Sequence, residues 1–183
     1  MLTQPERVEL LAIAREAITK AVRSETPAPP SAQGGRLAEP GGAFVTIRHR
    51  GELRGCIGYI ESALPLCQVV HEVAVKAARE DPRFPPVNPD ELEDLALEVS
   101  VLSPLEPVKD VDDIRVSEHG ILIELGWNRG LLLPQVAVEY RWGREEFLGH
   151  AARKAGLPPR AWGDPRAKLY RFSAEVFHEE QNN

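Results

Sequence analysis

Two glycines bracket a cysteine in the run Leu53-Arg54-Gly55-Cys56-Ile57-Gly58-Tyr59, and no other stretch limits the fold so narrowly. In an extended segment alternate side chains share a face, so Arg54, Cys56 and Gly58 point one way and Leu53, Ile57 and Tyr59 the other. The apolar face packs; the other carries any chemistry. Glycine inside a strand sacrifices stability and side-chain packing, and it marks a bulge or a close approach to the backbone. Two readings of Cys56 follow. In one it is a reactive or ligating thiol: the guanidinium of Arg54 favours the thiolate, and N–H groups freed by Gly55 and Gly58 form a small anion-binding concavity. In the other it is a small buried hydrophobe, the glycines admit a helix against the strand, and Arg54 pairs with a carboxylate. Taken alone, a single cysteine favours the second.

The flanking segments supply partners for this strand. Ala43 to Arg50 alternates Phe44, Thr46 and Arg48 against Val45, Ile47 and His49, and Arg50-Gly51-Glu52 turns it into the glycine-rich run as a hairpin. After Ser62 a helix is predicted to about Glu80, with Leu66, Val69, Val70, Val73 and Ala77 as its buried stripe. Cys67 and His71 lie one turn apart beside that stripe. Cys-x3-His is compatible with metal ligation or thiol activation, but two residues define no metal site, and the pair is read as structural. Pro82 ends the helix and leaves Asp81 and Arg83 on an ordered corner, where bracing of the loop is preferred over substrate contact. Leu95 to Leu102 alternates cleanly and points Glu98 and Ser100 away from the apolar side. Glu98 is read first as a partner for Arg54 and second as a general acid or base.

The N-terminal residues Thr3-Gln4-Pro5-Glu6 form a capping box, followed by helical spacing of Val8, Leu11, Ala14, Ile18 and Val22 up to Arg23. Residues 24–42 are rich in Pro, Gly, Ala and Ser and read as an exposed connector of little structure. Residues 43–177 form the main body and 178–183 a frayed tail. Further along, Gly120–Leu125 and Gly130–Leu133 flank a hairpin bend at residues 126–129, where Trp127 is expected to fold back over the core. His119, just before that strand, suits a base, a metal ligand or a capping hydrogen bond. A short helix at Gln135–Arg141 and another at Arg144–Ala155, stopped by Gly156, precede a closing strand from Leu169 to Phe177. Phe147, Leu148, Ala151 and Ala155 face the core, with His150 beside them as a boundary histidine.

At 183 residues the chain is long enough for one well-packed domain. A net charge of −6 with no basic block argues against nucleic acid as the default partner. The N-terminus lacks a basic leader with an apolar core, and no apolar run is of spanning length, so cytoplasmic residence without a membrane anchor is expected. Two cysteines are too few for a disulfide framework and are expected as free thiols. No dinucleotide, phosphate-loop, serine-hydrolase or zinc-protease motif is present in the sequence. Hairpins and helices in irregular order point to an α+β fold with a largely antiparallel sheet.

The run LRGCIG, preceded by GGAFVTI, resembles the signature of the AMMECR family. Matching segments follow in order: Ala77-Ala78, Asp81 to Phe84, Glu98 to Ser103, His119-Gly120, Leu133 to Ala137, and Lys154 to Leu157. Together they span about residues 41 to 177. The resemblance implies a larger and a smaller lobe with helices packed on the sheet. The short bacterial form is similar to the A component of the AmmeMemoRadiSam system, which implies a Memo-like protein and a radical S-adenosylmethionine protein as partners. It implies no defined reaction or cofactor.

Two functions are therefore carried forward. In the first, an enzyme or enzyme component uses Cys56 as nucleophile or thiolate ligand. His119 and Glu98 are its candidate proton carriers, and Arg54, Gly55, Gly58, Asp81, Arg83 and Gln135 its binding candidates. In the second, the LRGCIG segment presents a surface or anion pocket to a protein partner without covalent chemistry. Neither reading defines a metal site, a cofactor or an oligomeric state.

Overall fold

The alternation between Ala43 and Tyr59 forms the expected hairpin. In the computed structural model, which describes residues 1–31 and 34–179, β1 (Ala43–His49) and β2 (Glu52–Tyr59) pair antiparallel. Arg50 and Gly51 join them with φ of 51° and 85°. Positive φ at both central residues gives a two-residue turn whose twist suits the strands it connects. Contacts divide the chain into two units, Met1–Leu102 with the segment from Glu175 onward, and Ser103–Ala174.

In the first unit β1 also pairs antiparallel with β3 (Leu95–Leu102), and β8 (Ala174–His178) completes a four-stranded sheet in the order β2-β1-β3-β8. Helix α1 (Gln4–Val22) packs on α2 (Leu66–Arg79), and α2 lies on β1 and β2. The stripe expected on α2 is fully buried with Val45, Ile47, Leu97 and Val99 of the sheet. The capping box is formed: the Glu6 N–H donates to the Thr3 hydroxyl, and the Glu6 carboxylate accepts from the Thr3 N–H at 2.7 Å. Of the positions expected to face inward, Ala14, Ile18 and Val22 are buried and Leu11 is half-buried, whereas Val8 is not. Leu10, Ala14, Ala17 and Ile18 are buried while Val8 is 55% exposed, because small side chains let α1 approach α2 closely.

The connector is tied to the first unit at several points. Glu25 N–H reaches the Lys20 carbonyl, Gln68 Nε2 donates to the Pro30 carbonyl, and Arg36 N–H donates to Glu6 Oε1 at 3.1 Å. Leu37, inside a 3-10 turn at Gly35–Ala38, is buried in the first core. The described part of the link is mostly exposed and without regular structure, as expected, apart from this turn and the buried Leu37; Ala32 and Gln33, and residues 180–183 of the expected frayed tail, lie outside the described residues.

The second unit has its own antiparallel sheet, order β4-β7-β5-β6, from β4 (Glu106–Pro107), β5 (Gly120–Leu125), β6 (Asn128–Leu132) and β7 (Lys168–Phe172). Helices α3 (Pro134–Glu139) and α4 (Arg144–Lys154) contribute to its core, where Phe147, Leu148, Ala151 and Ala152 meet Ile121, Ile123 and Leu132. Gly156 stops α4 with φ of 74°: its N–H bonds the Arg153 carbonyl, and Leu157 N–H bonds that of Ala152. His150 stacks on Trp142 with ring centroids 3.7 Å apart. The closing strand expected from Leu169 to Phe177 is two strands in two sheets, β7 and β8, parted at Ser173. Continuous alternation in the sequence cannot report a change of sheet.

Gly130 sits where β6 crosses α4. A Cβ there would lie 2.4 Å from the Ala151 carbonyl oxygen and 2.6 Å from the Ala155 nitrogen, both main-chain atoms. Gly130→Ala is therefore expected to destabilise the second unit by about 1–3 kcal/mol, seen as a lower urea midpoint; an unchanged midpoint would refute this account of the helix–strand contact.

Candidate functional site

The two glycines of β2 serve packing. A Cβ on Gly55 would stand 2.2 Å from the Ala77 carbonyl oxygen of α2, and one on Gly58 would stand 2.2 Å from the Phe44 ring on β1. Helix and neighbouring aromatic therefore approach the strand from its two faces, with Cys56 between them. Tyr59, on the helix side, donates from its hydroxyl to Glu72 at 2.5 Å and accepts from Lys76 at 2.6 Å.

Cys56 is half-buried on the opposite face. Its N–H donates to Asp81 Oδ2 at 2.9 Å, and its carbonyl accepts from Arg83 Nη2 at 3.4 Å. Both backbone groups thus point away from β1, at the open edge of the sheet, and the expected freed N–H groups are not available as an anion cradle at Cys56. The facing pair Thr46–Cys56 is consequently of the non-hydrogen-bonded kind, in which side chains stand closest. Thr46 Oγ1 donates to Cys56 Sγ at 3.3 Å. This donor was not among the expected site residues; only the hairpin register identifies it.

Asp81 and Arg83 brace the corner as expected, and in doing so they hold the strand. The Asp81 side chain, 2% exposed, accepts from Arg83 Nε at 3.0 Å, Nη2 at 2.7 Å and the Arg83 N–H at 3.1 Å. The Arg83 guanidinium, helped by the Cys56 and Arg83 backbone N–H groups, holds the Asp81 carboxyl well below the usual carboxylate range, against the opposing effect of burial. Arg83 is raised in turn, chiefly by its hydrogen bonds to Asp81. Arg83 remains 53% exposed.

Arg54 pairs with a carboxylate, as the second reading of the segment expects, but from a bulge and with a different partner from the one read first. The register shifts between Ile47 and Arg48, so that Gly55 faces Ile47, Leu53 faces Arg48, and Arg54 is the extra residue of a bulge. Leu53 leaves the face of Ile57 and Tyr59 and is 38% exposed. The Arg54 guanidinium, 13% exposed, is committed to Glu91 at 2.7 and 2.9 Å and to the Pro85 and Pro86 carbonyls. Arg54 in turn lowers the Glu91 carboxyl to about 2. It does have a carboxylate partner, but that partner is Glu91 rather than Glu98. Glu98 faces Thr46 from β3, which sets Cys56, Thr46 and Glu98 in one row across three strands, and its carboxylate lies 3.6 Å from His178 Nδ1.

His119 and Gln135 belong to the second unit. His119 Nδ1 accepts the Arg115 N–H at 3.0 Å, a turn-capping bond, and burial together with Arg171 keeps the ring towards its neutral form. Gln135 is half-buried in the first turn of α3. Cys67 is 1% exposed. His71 Nε2 is buried without a hydrogen-bond partner among the described residues, and burial lowers its basicity. Trp127 does not fold back: at the tip of the β5–β6 hairpin it is 100% exposed, because Gly126 and Trp127 alone form the bend and leave no backbone for a return. Among the described residues no group of three or more His, Cys, Asp or Glu side chains is placed to hold a metal ion, and no helix is long and apolar enough to cross a membrane.

Comparison with known proteins bears on the whole chain. The AMMECR1 family model matches residues 11–177. A protein of Thermococcus kodakarensis, TK0174, is 46% identical over 182 residues, covering 93% of this chain and 89% of that one. A protein of Methanothermobacter thermautotrophicus is 53% identical over 145 residues, 76% of each. Among solved structures, the uncharacterized protein PH0010 from Pyrococcus horikoshii superposes with a TM-score of 0.87 at 41% identity, covering 93% of this chain and 90% of that one.

A carboxyl whose folded pKa is depressed stabilises fully above its unfolded value of about 3.9 and loses that contribution as pH falls towards the folded value. Asp81→Asn is accordingly expected to lower stability at pH 7 by about 1–3 kcal/mol and to reduce the acid-dependent loss between about pH 4 and 2. Urea unfolding across that range measures both; an acid limb as steep in the variant as in the parent would show that the Asp81–Arg83 pair is energetically idle.

Proposed function

The chain belongs to the AMMECR1 family, and on that premise we propose that its first unit carries a thiol-dependent site, with Cys56 the nucleophile or thiolate ligand of an enzyme or enzyme component. The observation that carries this reading is the hydrogen bond from the Thr46 hydroxyl to Cys56 Sγ on a strand whose edge is clamped by Asp81 and Arg83. A donor aimed at sulfur favours the charged, nucleophilic form, and a backbone fixed on both its polar groups keeps the sulfur in one place. Thr46 orients the thiol, Asp81 and Arg83 position it, and Arg54, Gly55 and Gly58 keep the strand and its surroundings in register. Glu98, two strands away in the same row, is the candidate proton carrier within this unit.

A second reading, a non-catalytic binding module working with Memo-like and radical S-adenosylmethionine partners, draws its support from Trp127. An aromatic held wholly in solvent at a two-residue tip resembles the anchors that dominate protein interfaces.

Alkylation separates the two. At pH 7 and under native conditions Cys56 is expected to react with iodoacetamide several-fold faster than a cysteine in an unfolded peptide, with Thr46→Val slowing it towards that reference. A Cys56 that reacts only after unfolding would overturn the enzyme reading. In a pull-down with purified Memo-like protein, the binding reading expects Trp127→Ala to lose the partner while Cys56→Ser retains it.

A further inference from the structure

Arg83 is an exposed cation beside Cys56, its Nη2 lying 3.4 Å from the Cys56 carbonyl oxygen, and its donors are only partly used. Nε and Nη2 grip Asp81, and Nη2 also reaches the Cys56 carbonyl; the guanidinium lies over the Phe84 ring with Cζ 5.4 Å from its centroid, and Nη1 has no hydrogen-bond partner among the described residues. A guanidinium carries five N–H donors in a fixed plane, so engagement of one edge by a carboxylate leaves the Nη1 pair directed elsewhere with its orientation already set. The side chain cannot swing away to satisfy itself, because Asp81 holds it with two bonds from a buried position. The guanidinium of Arg54, the arginine nearest to Cys56 along the chain, is withdrawn by its four bonds to Glu91, Pro85 and Pro86.

We infer that the substrate of the Cys56 site carries an oxyanion, a carboxylate or a phosphate, which seats on Nη1 of Arg83 while the reacting carbon meets Cys56 Sγ. This rests on the thiol reading above and adds its substrate class. The same guanidinium then has two functions: through Asp81 it holds the strand edge, and through Nη1 it selects charge. Asp81 neutralises the pair as a whole, so the selection is modest, of the size an exposed ion pair provides.

Two small alkylating reagents test the inference without knowledge of the natural substrate. In each, the sulfur of Cys56 forms a bond to the methylene carbon as iodide leaves with the bonding pair; iodoacetate carries a carboxylate where iodoacetamide is neutral. A free thiolate reacts more slowly with the anionic reagent, because like charges repel. For Cys56 the iodoacetate-to-iodoacetamide rate ratio is expected to exceed that of glutathione by about two- to fivefold, and to return to the glutathione value in Arg83→Gln, the ratio being read whether or not the variant slows iodoacetamide itself. Since Arg83→Gln also strips Asp81 of its partner, a measurement on the unaltered protein accompanies it. Inorganic phosphate or acetate, at matched ionic strength against chloride, is expected to slow iodoacetate more than iodoacetamide, and the stronger of the two identifies phosphate or carboxylate as the preferred group. A Cys56 ratio equal to that of glutathione, or equal slowing of both reagents, overturns the oxyanion assignment while the thiol reading stands. A Cys56 inert to both reagents overturns the thiol reading, and the assignment with it.

Discussion

The buried carboxylate of Asp81 is the interaction on which the rest of the first unit's geometry turns. An edge strand presents unpaired N–H and C=O groups, and such an edge invites pairing with other chains. Here the Cys56 N–H is met by Asp81 and the Cys56 carbonyl by Arg83, so two side chains do at one point what a further strand would do along its length. A carboxylate this well buried is tolerable only because Arg83 and the backbone N–H groups compensate its desolvation. The corner after α2, the edge of β2 and the orientation of the thiol are thereby parts of one arrangement.

Packing explains the composition of the strand on the same terms. Gly55 is where α2 comes nearest, Gly58 is where the Phe44 ring lies, and Arg54 is the bulged residue whose side chain reaches across to Glu91. None of these three needs a ligand to account for it. What they leave is a half-buried sulfur with a hydroxyl donor on one side and a guanidinium at the carbonyl of the same residue. The chemistry assigned to the site is therefore concentrated in Cys56, Thr46 and Arg83, and the glycines and Arg54 are its scaffold.

Much of the fold was legible before any coordinates. The capping box at Thr3, the buried stripe of α2, the alternation of β3 and the helix stop at Gly156 are local patterns with local causes, and each forms as read. The misread elements share the opposite property. Whether Val8 on α1 is covered depends on where α2 lies; the break between β7 and β8 depends on which sheet each joins; and the exposure of Trp127 depends on how short its bend is. The site divides in the same way. The place of Cys56 and the bracing role of Asp81 and Arg83 follow from Pro82 and from strand alternation, whereas Thr46 and Glu91 enter only through pairing register and a loop return.

By itself, then, the sequence determined the α+β class, the position and type of most elements, and the segment in which a site was to be sought, because periodicity, caps and turn residues act over a few neighbours. Tertiary structure alone decided which guanidinium stands beside the thiol. Arg54 is two residues from Cys56 and Arg83 twenty-seven, yet a bulge carries the first towards Glu91 while the corner after α2 brings the second to the Cys56 carbonyl. Distance along the chain does not order side chains around a strand edge; register and the packing of the next helix do.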